Sequence, residues 1–155
     1  MLVDATPRSW LDASDRSSFG RGGDRRWRQA TNAEELVCKS AAQVQHGVVS
    51  ASRARLEELD MSVGDLAGRL ADEVPSVRTK PDMLRRKFRG EARASVDDLV
   101  AWLIVLEVDH GWSRLFAEEL EGVGVGVTGR PYDRRRDDHH RRSRHDKPKN
   151  RGGGS

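Results

Sequence analysis

Seven of the sixteen residues from Arg78 to Arg93 are basic: Arg78, Lys80, Arg85, Arg86, Lys87, Arg89 and Arg93, against Asp82 and Glu91. Cationic groups at this density can neutralise phosphates, and an arginine can also pair with the O6 and N7 acceptors of guanine. Leu84 and Phe88, four apart, give the stretch one apolar side, so a helix here turns its charges outward. Thr79 as N-cap, Pro81 in the first turn, the acidic Asp82 and a terminating Gly90 fit a helix near residues 80–89. A charge run on a helix is often only a solvated face. Against that stand the single sign and the setting: 78–93 carries +5, between −4 for 31–77 and −6 for 94–121.

Other chemistry is weakly signalled. His139, His140 and His145 lack cysteine partners and a scaffold, so at best they make an adventitious metal site. Cys38 is the one cysteine, which excludes an intramolecular disulfide and fits a reducing compartment; nothing beside it suggests an activated thiol. Asp97–Asp98 and Glu118–Glu119 read as first-turn and surface charges rather than a catalytic pair. No enzyme, cofactor or metal is expected.

The elements that must position the basic helix come from periodicity. Residues 1–30, broken by Pro7, the Ser14–Ser18 run and Gly20–Gly23, read as a disordered arm of net charge +2 whose Trp10, Phe19 and Trp27 could dock on the domain. A helical stripe of Leu36, Val37, Ala41, Val44, Val48, Ala51, Leu56 and Leu59 follows a cap at Thr31 or Asn32. Gly47 leaves open one long helix or two. Ser62 with Asp65 opens a helix to about Glu73, ended by Pro75. Ser95 with Asp98 opens another, apolar on most sides and therefore central. A short fifth helix is expected over Trp112–Glu121, and 122–155 reads as a disordered tail of net charge +6. With 35% hydrophobic and 5% aromatic residues in 155, the core must be small.

The span from Arg53 to Val108 resembles the helix-turn-helix domain of the Cro and phage-repressor (XRE-like) family. The matching stretches are LEELDMSVGDLAGRL (56–70) and MLRRKFRGEARASVDDLVAWLIVLEV (83–108), with Leu59, Met61, Ser62, Leu66, Ala67, Leu84, Phe88, Gly90, Ser95, Leu99 and Leu103 at the pattern's places. The connection from Leu70 to Leu84 is longer than the family's tight turn and contains Pro75 and Pro81. The resemblance implies an all-α bundle of four or five helices over 31–121, with the helix near 80–89 in the major groove of double-stranded DNA. Lys80, Asp82, Arg85 and Arg86 would then lie near bases, and Arg78, Thr79, Lys87, Arg89 and Arg93 near phosphates. Asp82 has a plainer role available, capping its own helix.

The expectation is a sequence-specific transcriptional regulator, a repressor, in the cytoplasm and on the nucleoid. A homodimer through residues 102–120 would match two-fold sites, with Trp102 better placed in the core. No stretch approaches the roughly 18 apolar residues that span a membrane. The competing reading is a phage assembly or packaging subunit, or a protein-interaction module, using the same domain.

Overall fold

The computed structural model describes residues 6–23 and 25–108. Four α-helices carry the fold there: α1 (Ala33–Glu58), α2 (Val63–Glu73), α3 (Pro81–Phe88) and α4 (Val96–Val105). Among the described residues there is no strand, only one antiparallel bridge between Leu11 and Trp27. The all-α expectation holds. The fifth helix expected at Trp112–Glu121 and the tail 122–155 lie outside the described residues.

Local capping chemistry sets three of the four helix starts. Asn32 caps α1, its side chain accepting from the Glu35 N–H at 2.8 Å. Ser62 and Ser95 open α2 and α4 with complete capping boxes, in which Asp65 and Asp98 accept in return from the serine N–H. α3 departs by one residue: its N-cap is Lys80, not Thr79, whose hydroxyl donates instead to Val77 O. Pro81 at the first helical position pushes the preceding residue into extended backbone, and that fixes the boundary at Lys80. Between α2 and α3 the long connection folds as a 3-10 turn, Pro75–Val77, with Val74 and Val77 against the core.

The core joins Leu66 and Leu70 of α2, Leu84 and Phe88 of α3, and Leu99, Trp102 and Leu103 of α4 to Val48, Val49 and Leu56 of α1. The Phe88 and Trp102 rings lie 4.9 Å apart, so Trp102 is core. α4 is not buried on every side: Val96 and Ile104 are 69% and 62% exposed.

α1 is one helix through Gly47, and its buried face differs from the expected stripe. Val37 is 68% exposed, while Gln43, Gln45, His46, Gly47 and Ser52 are all buried. The cause lies in the N-terminal segment, where a disordered arm is expected over 1–30 and its described residues, 6–23 and 25–30, are packed on the domain. Two 3-10 turns, Pro7–Trp10 and Arg16–Ser18, place Trp10, Leu11 and Phe19 in buried positions, with Trp10 packed on Ala42. Burial of three large apolar side chains offsets the ordering entropy that a Gly- and Ser-rich stretch must lose. α1 therefore has neighbours on two sides, and its middle turns are enclosed.

Polar groups of α1 then close the ends of the other helices, whose last carbonyls have no partner within the helix. Gln45 Nε2 donates to Lys87 O and Ala92 O at 2.8 and 3.0 Å, and its Oε1 accepts from the Ala94 N–H. Arg55 Nε donates to Leu106 O beyond α4. Gly90, at φ +70°, terminates α3, and a Cβ there would stand 2.6 Å from the Phe19 ring. The Gly90 carbonyl accepts from the Arg8 N–H at 3.0 Å, which fastens the N-terminal segment to the end of α3.

Candidate nucleic-acid interface

The roll of α3 is fixed by Leu84 and Phe88, both fully buried, and by Gln45 behind its last turn. The opposite face presents Arg85, Arg86 and Arg89, each with about half of its side chain exposed. Arg78 and Lys80 precede the helix, exposed and without an ion pair among the described residues. Five exposed or half-exposed basic side chains therefore lie on α3 and the connection that leads into it. Thr79 is half-buried with its hydroxyl turned to the preceding turn.

Neighbouring carboxylates engage part of this charge. Asp82 accepts from Arg85 Nη1 at 2.9 Å with its own side chain almost fully exposed, so it serves as a first-turn charge and a local partner. Glu91 gathers Arg89, Arg8 and Arg86 at 3.1, 3.2 and 3.9 Å, one negative charge among three positive. Solvent-exposed pairs of this kind contribute about 0–1 kcal/mol, so a phosphate can displace them at little cost.

One of the expected DNA-facing residues, Lys87, is tied inward, and another, Arg93, lies beyond the end of α3. Lys87 Nζ donates to Asp98 Oδ2 at 2.8 Å, with only 16% and 8% of the two side chains exposed. The same carboxylate oxygen caps Ser95, so Lys87 ties α3 to the start of α4 and does not face a ligand. Residues 85 and 87 flank the Leu84–Phe88 stripe on opposite sides, and the side of residue 87 is the one that meets Asp98 at the start of α4. Arg93 Nη2 donates to Cys38 Sγ at 3.7 Å near the start of α1. Arg93 is exposed, beside Gln45 and Ala94 rather than on α3 itself.

Arg8, Arg21 and Arg53 were not anticipated. Arg53 crosses behind α3, its guanidinium 5.4 Å from the Phe88 ring centre and its Nη2 donating to Phe88 O at 3.1 Å. Burial, and then the charges of Arg21 and Arg89, hold its pKa below the ordinary arginine value. The signal for Arg8 and Arg21 lay in the arginine content of the N-terminal segment, but only its docking reveals their neighbours.

Among the described residues no group of histidine, cysteine and carboxylate side chains could hold a metal ion, and no helix is long and apolar enough to cross a membrane. No family model matches this chain, and no curated protein or solved structure matches it either.

Proposed function

We propose that the chain is a helix-turn-helix DNA-binding protein of the Cro and phage-repressor kind, a sequence-specific regulator that acts as a repressor. The observation that carries this reading is the outward row of α3. Arg85, Arg86 and Arg89 lie on the exposed side of a helix whose other side is locked in the core, and the exposed Arg78 and Lys80 lead into it. An α-helix of this kind fits the major groove of B-DNA, and guanidinium groups on its exposed face can reach guanine edges. α2, the 3-10 turn and α3 supply the helix-turn-helix unit, with α2 lying across the backbone. Repression requires only occupancy of a promoter, without a cofactor.

The test is fluorescence anisotropy of the protein on duplexes from its own genomic neighbourhood, across a salt series. A site-specific regulator holds one duplex tightly as salt rises while the others fall away. Uniform weak binding that vanishes at moderate salt overturns the reading. The exposed stripe of Val96 and Ile104 on α4 favours a second element, a protein contact, with a second copy on a two-fold site as the simplest partner. In that assembly Ile104, not the buried Trp102, supplies the apolar contact.

A further inference from the structure

Beside α3 a groove of about 610 Å³ opens between the loop at Gly20–Gly22, the last turns of α1 and the start of α2. Arg21, Ser50, Arg53, Glu57 and Ser62 are its polar walls. Arg21 is exposed, with no side-chain partner among the described residues. Arg53 spends one nitrogen on Phe88 O, while its Nε is buried without an acceptor. Arg21 and Arg53 thus share the groove with one carboxylate, Glu57, while Arg89, held by Glu91 outside it, adds its positive charge to the field at Arg53. Like charges held together in partly desolvated surroundings repel, and an anion placed among them relieves that cost.

The groove also adjoins the face described above. Arg85 Nη2 lies 3.3 Å from where a Cβ on Gly64 would stand, which brings the α3 row to the first turn of α2, and Ser62 and Val63 line the groove beside it. We propose that this groove receives a backbone phosphate of the DNA duplex, held by Arg21 and Arg53 while α3 lies in the adjacent major groove. The inference rests on the DNA-binding reading and adds to it a contact from the N-terminal segment. That segment is part of the interface, not a tether to it. The contact is blind to base sequence, because a phosphodiester carries none.

The probe is a random-sequence duplex, titrated by anisotropy between 50 and 200 mM salt. A phosphate contact steepens log affinity against log salt by about 0.9, which is about a 3.5-fold loss over that range. Arg21→Ala reduces the wild-type loss by that factor, weakens every duplex alike and leaves the melting temperature unchanged, since Arg21 is exposed. Arg21→Glu weakens binding further, and Glu57→Gln strengthens it on all duplexes. If both Arg21 variants keep wild-type affinity and salt slope while Arg85→Ala weakens binding, the phosphate site is overturned and the DNA-binding reading stands. Absence of duplex binding by the wild type at any salt overturns both.

Discussion

Acid should unfold this domain through His46, and the size of the effect follows from where the ring sits. His46 is 6% exposed, edge-on to Phe19 and Trp27, with its Nδ1 accepting from the Gly20 N–H at 2.9 Å. Burial, reinforced by the charge of Arg25, pushes its pKa from 6.5 down to about 4. Between those values the unfolded chain binds a proton at position 46 that the folded chain refuses. The contribution is therefore whole above about pH 6.5 and drains away as pH falls to about 4. A gap of about 2.5 pH units, at about 1.4 kcal/mol each, comes to about 3.5 kcal/mol at most, of which about 3 kcal/mol is lost by pH 4. Asp65 and Glu35, whose pKa values lie below the ordinary range through hydrogen bonds from Ser62 and Thr31, lose stability in the same direction at lower pH. A comparison with His46→Asn isolates the imidazole, because the asparagine amide oxygen can still accept from Gly20. Urea unfolding followed by tryptophan fluorescence at several pH values is the assay. The wild type is expected to lose about 3 kcal/mol more than the variant between pH 7 and pH 4. Parallel pH profiles for the two proteins would refute the reasoning.

Other expected outcomes concern the α3 face and its supports. Replacing Arg85 and Arg86 together with Ala should erase preference among duplexes, at about 1–3 kcal/mol for each arginine–base pairing removed, with the melting temperature unchanged; competition anisotropy measures it. Lys87→Met should behave oppositely, leaving Asp98 buried without its partner and costing about 3 kcal/mol in urea unfolding, with no change in the salt slope of binding. Adding Asp98→Asn should restore part of that stability, and a double-mutant cycle checks the coupling. Gly90→Ala must accept a left-handed backbone and a Cβ against Phe19, so a loss of about 2 kcal/mol or more is expected in the same assay.

What could be read from the sequence was what neighbouring residues decide among themselves. Asn32, Ser62 and Ser95 cap their helices through groups within three positions, and Leu84 and Phe88 meet across one turn. The outward direction of Arg85, Arg86 and Arg89 followed from that pair. Lys87 shows the limit: it lies on the same short helix, and its role depends on a carboxylate of the next one. α1 shows it more broadly. Gln45 and His46 look like surface residues until the last carbonyls of α3 and the Gly20 N–H are brought to them. The N-terminal segment was misjudged because glycine and serine content measures the entropy lost on ordering. It does not register the pocket that Trp10, Leu11 and Phe19 find on another part of the chain.

The bond from Arg8 to the carbonyl of Gly90 also sets an order of events during synthesis. Arg8 and its carboxylate partner Glu91 are separated by 83 positions. At roughly 5–20 residues per second, a ribosome takes about 4–17 s to deliver the second after the first. Throughout that interval Trp10, Phe19 and Trp27 have no finished surface to settle on. The opening stretch is composed for such a wait, with six arginines and four aspartates among its first thirty residues keeping three large rings in water. Closure waits for the glycine after the basic helix, and α4, which completes the core, follows it out.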